Sequence, residues 1–321
     1  MLSRVADSLY WMSRYLERSE HCARVVGVNL NLMLDHTQIN PDERWQRVIA
    51  ALGFPVKADM KRDVQSLTQA IAFDPRTRSS ISSCVISARE NARQVREQIS
   101  SEMWEQINRL FFHVKLASTS MPADTQLLEY LESVKEGAHL FQGLTDSTMT
   151  HGDGWHFIQF GRFLERASAS AALLDVYFSQ LSSDKNRESL DHGDHLEWIG
   201  LLRSCTAFEA YCKVYTAEIR LEWIAEFLIL NPEFPHAIRF SVDQMSNALE
   251  AIARTAPGRH SSMLEKMMGR LRASLSYTQI DEILEAGPHA YLENIQKLCD
   301  NIHSAVFHLY IGYPIQSAIE A

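Results

Sequence analysis

The sequence predicts an all-α fold, an internally duplicated helical bundle whose two homologous halves pack as one compact domain. Three observations carry that prediction. Breakers are scarce, with 13 glycines and 9 prolines in 321 residues, so elements run long. Apolar residues recur at helical steps, and alternating period-2 runs bounded by turns are absent. The chain also repeats itself once, in order, from end to end.

The elements follow in sequence. Leu9, Met12, Leu16, Ser19, Ala23, Val26, Leu30 and Met33 step by three and four, which marks one face of a long first helix. Asn40-Pro41-Asp42-Glu43 supplies a capping side chain, a proline at the first helical position and two acids in the first turn. Ser262-x-x-Glu265 and Thr278-x-x-Asp281 read as capping boxes. Breaks fall at Gly53-Phe54-Pro55, Phe73-Asp74-Pro75, Ser118 to Asp124, Ser182 to Asp194, Asn231 to Pro235, and Ala256-Pro257-Gly258. These divide the chain into about ten or more helices. The charged stretch from Ser182 to Asp194 is the most linker-like and reads as a solvated helix end or loop.

The repeat begins with SRYLERSEHCARVVGV (13–28) against GRFLERASASAALLDV (161–176). Arg14, Leu16, Glu17, Arg18 and Val28 match Arg162, Leu164, Glu165, Arg166 and Val176 at an offset of 148. Trp45 matches Trp198 at 153, Asp74-Pro75 matches Asn231-Pro232 at 157, and Tyr130-Leu131-Glu132 matches Tyr291-Leu292-Glu293 at 161. The offset rises in small steps, as loop insertions in a duplicated unit produce. The halves are 1–148 and 149–321, expected to pack about a pseudo-twofold because each presents the same apolar face.

Composition bounds the function. The formal charge of −9 lacks the basic face that nucleic acid requires. Five scattered cysteines, with no Cys-x-x-Cys, read as reduced thiols of a cytoplasmic protein. The N-terminus has no uninterrupted apolar core of a signal peptide, and no run of about 18 apolar residues predicts a membrane span.

The candidate site is the charged set on each repeat helix. Arg14, Glu17 and Arg18 share a face, at i, i+3 and i+4, as do Arg162, Glu165 and Arg166. Tyr10, Val25, Val28 and Leu32 lie on the face of the first set, so its helix is apolar on two sides and expected at the centre of its half. One reading is structural, a buried Arg-Glu network that ties a helix to its neighbours. The other is functional: the four arginines bind a carboxylate or phosphate bidentately and Glu17 or Glu165 acts as a base or orienter. A second constellation, Arg89, Asn91 and Arg93 in the charged run from Arg89 to Glu105, is a candidate binding surface, against the commoner reading of a solvated helix face. No phosphate loop, dinucleotide fingerprint, nucleophile elbow or zinc-protease motif occurs. No cofactor and no metal is expected: His192 and His195 read as surface histidines, and Glu17 with His21 has no counterpart in the second copy, where Ala169 stands. Trp45, Trp104, Trp155 and Trp198 read as packing.

The two Leu-Glu-Arg motifs bring the sequence to a family. LSRVADSLYWMSRYLERSEHCARVV resembles the N-terminal signature of the bacterial alpha-E domain family, an all-helical family with an ER motif, and SARENARQVREQISSEMWEQIN (87–108) resembles its second block. The likeness covers essentially the whole chain. The turns after Asp74 and Asn231 read PRTRSSI and PEFPHAI, where the family tends to carry Asn-Ser and Arg-Ser before the hydrophobic. The resemblance implies association with circularly permuted ATP-grasp ligases and transglutaminase-like cysteine proteases, a setting similar to a peptide- or amide-bond-forming system. Three readings follow: an accessory or scaffold subunit that partners such a ligase; a helical transferase acting on an activated carboxylate or aminoacyl group through the two Arg-Glu-Arg clusters; and a homo-oligomer whose network is purely structural.

Overall fold

The computed structural model describes residues 1, 3–34, 40–55, 63–120, 124–181, 192–216, 218–255 and 261–312. Fourteen α-helices and no strand occur among them: α1 (Ser3–Leu34), α2 (Pro41–Ala51), α3 (Val64–Phe73), α4 (Ile81–Gln94), α5 (Ser101–Ser120), α6 (Asp124–Thr148), α7 (Asp153–Leu181), α8 (His192–Ser204), α9 (Phe208–Tyr215), α10 (Leu221–Leu230), α11 (Ile238–Thr255), α12 (Ser262–Tyr277), α13 (Ile280–Ala286) and α14 (Pro288–Val306). The all-α prediction holds. The break at Ala256-Pro257-Gly258 and the charged stretch 182–191 lie outside the described residues, as does the side chain of His192.

Local signals place the helix starts. Asn40 caps α2 by accepting from the Asp42 N–H, with Pro41 inside and Asp42 and Glu43 in the first turn, as predicted. The two predicted capping boxes need correction by one residue. Ser261, not Ser262, caps α12 by accepting from the Leu264 N–H at 3.3 Å. Gln279, not Thr278, precedes α13, and its N–H donates to Glu282 at 3.4 Å. Ser261 and Gln279 are the extended residues directly before the first helical turn, whereas Ser262 already lies inside α12 and Thr278, also extended, closes α12 one residue earlier.

The two longest helices run through the middle. α1 has 32 residues, about 48 Å at 1.5 Å per residue, and α7 has 29. α1 packs against α7, α4 and α6, and α7 against α1, α11 and α14. The short helices exchange sides, α2 lying on α7 and α8 on α1. α1 is buried nearly all round: Leu9, Met12 and Ala23 on the predicted stripe and Tyr10 and Val25 opposite are all fully buried. One apolar cluster runs from Ala6 to Ile311, with Trp45 and Trp198 enclosed in it.

α1 and α7 come close at two glycines of α7, Gly154 against Leu9 and, most tightly, Gly161 against Ser13 and Tyr10. A Cβ on Gly161 would lie 2.5 Å from Ser13 Oγ and 2.6 Å from the Tyr10 carbonyl oxygen. Only a residue without a side chain permits this approach. It sets the ER motifs of the two helices side by side, each one turn C-terminal to this contact. Helix bounds also recur along the chain. α3 and α10 share bounds at an offset of 157, and α4 and α11 begin at the same offset. α5 and α12 begin 161 apart, each preceded by a serine whose hydroxyl accepts from the third residue onward.

Candidate functional site

The Arg-Glu-Arg residues meet at the α1–α7 crossing, and they pair across it. Glu165 accepts from Arg14 Nε at 2.7 Å and from Arg18 Nε at 2.6 Å. Glu17 accepts from Arg166 Nε at 2.6 Å and Nη2 at 3.0 Å, and from Gln142 Nε2 at 3.1 Å. The acid of each motif is therefore answered by the base of the other. Glu17, Glu165, Arg166 and Arg14 are buried, while the Arg18 side chain keeps 27% exposure. Burial works to raise the Glu165 carboxyl, but Arg14 and Arg18 outweigh it and hold it at about 2. A carboxylate so held is ionised at neutral pH and is a weak base, with both oxygens engaged.

Further polar groups flank the seam on both sides. On one, the Tyr10 hydroxyl and His303 Nδ1 lie 2.6 Å apart, and Arg14 Nη1 donates to Tyr10 Oη at 3.0 Å. The Arg14 guanidinium also lies 4.8 Å from the Trp11 ring centroid. Burial, with Arg14 adding repulsion, lowers His303 to about 4, so its ring is neutral. On the other side, Arg24 donates to Glu20 Oε1 at 2.8 Å and to the Ser204 carbonyl at 2.7 Å, and it lies 3.2 Å from His21 Nδ1 and 3.4 Å from His236 Nε2. Burial and Arg24 lower His21 to about 4, and burial with Arg166 and Arg24 keeps His236 well below its ordinary value. Glu20, pushed up by burial, is brought down to about 2 chiefly by Arg24. A third network joins α2 to α8, where Arg44 and Arg47 both donate to Glu197.

Arg162 is the exception. Its Nε is buried with no hydrogen-bond partner, and its guanidinium carbon lies 4.5 Å from the Phe163 ring centroid. Burial, with Arg166 adding repulsion, lowers it to about 10. It lines a narrow cleft with Ser13, Leu16, Phe141, Gln142, Thr145 and Ile158.

Arg89, Asn91 and Arg93 do not converge. Arg89 donates to Asn108 Oδ1 at 2.7 Å and lies 4.5 Å from the Phe111 ring centroid; Asn91 donates to the Ser87 carbonyl within α4; Arg93 is exposed and pairs with Glu90 at 2.6 Å. An open cavity of about 500 Å³ lies elsewhere, among Tyr215, Glu226, Arg239, Asn231 and Asp281. Among the described residues no three His, Cys, Asp or Glu side chains gather as a metal centre requires, and no helix is long and apolar enough to cross a membrane. Cys22, Cys84, Cys205 and Cys299 are buried free thiols, pushed up by burial. Sequence reasoning identified the ER residues but missed Glu20, Arg24, His236, His303, Gln142, Arg44 and Glu197. The one usable signal was Glu20 and Arg24 at i, i+4 inside a helix already read as buried.

Fold and seam together define a class: an all-helical protein organised on paired Glu-Arg dipeptides from two central helices. The Alpha-E family, described as "a predicted alpha-helical domain with a conserved ER motif", matches residues 1–311, and the chain belongs to it. Uncharacterised proteins of Mycobacterium bovis and Mycobacterium tuberculosis are each 22% identical over 324 residues, covering 94% of this chain and 35% of their own length. The chain thus spans about a third of the curated relatives it matches. No solved structure matches it.

Proposed function

We propose that the Arg-Glu seam is a structural clasp between two homologous halves, 1–148 and 149–321, and that the clasped bundle acts in the cytoplasm as an accessory or scaffold subunit. Its partner in this reading is a circularly permuted ATP-grasp ligase of a peptide- or amide-bond-forming system, with a transglutaminase-like protease as a further member. The observation that carries the clasp is the engagement of both glutamates: each is buried and held by guanidinium groups from the opposite helix. Such a carboxylate fixes geometry better than it moves protons.

Duplication is supported by contacts as well as by sequence. Cys22 Sγ faces the Ser79 carbonyl at 3.8 Å, and Ser170 Oγ faces the His236 carbonyl at 3.3 Å. These two contacts correspond at the offsets of 148 and 157 found in the sequence. The subunit reading draws support from the relatives, in which the matched region is one part of a much longer chain. Five free thiols support the cytoplasmic assignment.

The test is purification of the tagged chain from its host, followed by ligase assays with and without it. Near-stoichiometric recovery of an ATP-grasp protein, and ligation that depends on this chain, is the expected result. Recovery of the chain alone overturns the subunit reading. The double variant Glu17→Gln with Glu165→Gln separates clasp from catalyst: a clasp loses stability, whereas a catalytic site stays folded and loses turnover.

A further inference from the structure

The open cavity of about 500 Å³ among α10, α11 and the α12–α13 turn takes no part in the seam. Space of that order holds a whole small molecule rather than an ion or a single water. Three charged side chains line it: Arg239 from α11, Glu226 from α10 and Asp281 from the start of α13. Opposite signs share one cavity, yet among the described residues none of the three forms an ion pair. Arg239 makes one hydrogen bond, from Nη1 to the Leu230 carbonyl at 3.4 Å, and its Nε is buried without a partner. Glu226 Oε2 accepts from the Tyr215 hydroxyl at 2.9 Å, which leaves Oε1 uncommitted. The Tyr215 ring is stacked on Trp223, with 5.3 Å between centroids, so this end of the cavity is held in place. Asn231 Oδ1 accepts from the Glu233 and Phe234 N–H groups at 2.8 and 2.9 Å, which leaves its amide nitrogen as a spare donor.

The helices themselves do not demand these charges. α3 and α10 share bounds at an offset of 157, and α4 and α11 begin at that offset, so Gln69 stands where Glu226 does and Ser82 where Arg239 does. α5 and α12 begin 161 apart, which puts Ser118 at the place of Gln279. Ser82 and Ser118 meet hydroxyl to hydroxyl at 2.9 Å and join α4 to α5. In the second half α12 ends at Tyr277, before Gln279, and Arg239 and Gln279 line the cavity instead. Two small hydroxyls in contact at one end of the chain thus correspond to an open space around a guanidinium at the other. Charges of both signs that stay apart across such a space are complementary to a ligand that carries both signs itself. Leu230 and Ile280 add apolar surface to the wall.

We propose that this cavity is a binding site for a zwitterionic amino compound, a free α-amino acid or a short peptide with both ends free. Its carboxylate sits on the Arg239 guanidinium and the Asn231 amide, its ammonium on Glu226 with Asp281 adding attraction, and its apolar part against Leu230 and Ile280. A guanidinium presents a planar fork of donors that suits a carboxylate, and a carboxylate oxygen with no other partner suits an ammonium. The site lies away from the clasp and stands whether or not an ATP-grasp partner is found.

The test uses the full chain and two variants, Arg239→Ser and Glu226→Gln, each of which installs the residue that the first half carries at the corresponding place. L-leucine and L-leucyl-L-leucine are titrated by calorimetry at about pH 6.5, where amino groups are protonated and carboxyl groups are not. N-acetyl-L-leucine, which lacks the ammonium, and L-leucinamide, which lacks the carboxylate, are titrated beside them. The expected result is saturable binding of leucine or its dipeptide, at least about tenfold weaker in each variant, with both blocked compounds at least about tenfold weaker on the wild type. Whichever of leucine and leucyl-leucine binds more tightly tells whether the site takes amino acid or peptide. The absence of a saturable response to both at millimolar concentration overturns the site, and so does a response undiminished in either variant. A blocked compound that binds as tightly as its free parent overturns the zwitterion assignment. Should a variant fail to fold, the ranking of the four compounds on the wild type decides alone.

Discussion

Glu165→Gln tests the seam most directly. The side chain is buried and takes Arg14 Nε at 2.7 Å and Arg18 Nε at 2.6 Å. Glutamine keeps the shape and one acceptor oxygen but removes the charge. The fall of the carboxyl from its ordinary 4.5 to about 2 corresponds to about 3 kcal/mol of preference for the ionised form, at about 1.4 kcal/mol per unit. Arg18 is partly exposed and can turn to water, whereas Arg14 is buried and cannot. The expected loss is therefore about 3 kcal/mol, the lower part of the range for breaking a buried pair. Urea unfolding at neutral pH measures it. The same group sets an acid signature. Its folded pKa lies below its unfolded value, so its contribution is complete above the unfolded value and is lost as pH falls from about 5 toward about 2. Wild type should show that loss and Glu165→Gln should lack its share. A cost under about 1 kcal/mol, or acid curves of equal slope, refutes the clasp argument.

Gly161→Ala should cost about 1–3 kcal/mol by thermal or urea unfolding, because the new methyl must push α1 from α7; adding Ser13→Ala should rescue it only in part, since the Tyr10 carbonyl remains 2.6 Å away. His21 and His303, each lowered from 6.5 to about 4, and His236, also lowered, are neutral in the fold. Unfolding releases them to take protons, so stability should fall as pH drops from about 6.5 toward about 4. A stability curve that is flat across that window contradicts the burial of neutral rings. Cys212 is half-buried while the other four thiols are buried, so a thiol reagent should label one cysteine rapidly in the native chain and the remainder only on unfolding. Mapping of the fast label to any other cysteine contradicts the packing.

The helices were legible because their signals are local. Asn40, Pro41 and the period of three and four in α1 depend only on neighbours in the chain, and they place α1 and α2 closely. The caps at Ser261 and Gln279 shifted by one residue because adjacent residues there are able to cap, and the residue at which the helical turn begins chooses among them. The charged residues of the seam were legible as a set, since i, i+3 and i+4 spacing puts them on one face. Their pairing was not. Which arginine meets which glutamate depends on the crossing at Gly161 and Ser13, a contact between residues 148 apart. His303 and Gln142 entered for the same reason, each brought to the seam by a helix remote in sequence. Arg89, Asn91 and Arg93 illustrate the opposite case: a shared helical neighbourhood that the fold sends to three unrelated partners.

The crossing of the two Leu-Glu-Arg segments has one consequence for how such a chain can change. Glu17-Arg18 and Glu165-Arg166 form a self-complementary pair, each dipeptide being both lock and key for the other. Reversing the first dipeptide alone sets like charges opposite one another at two places, while reversing both restores those two attractions and leaves only Arg14 facing a like charge. The motif is thus two letters in the sequence and four in space. Neither copy can drift without its answer 148 residues away, so two distant stretches of one chain are held to the same spelling.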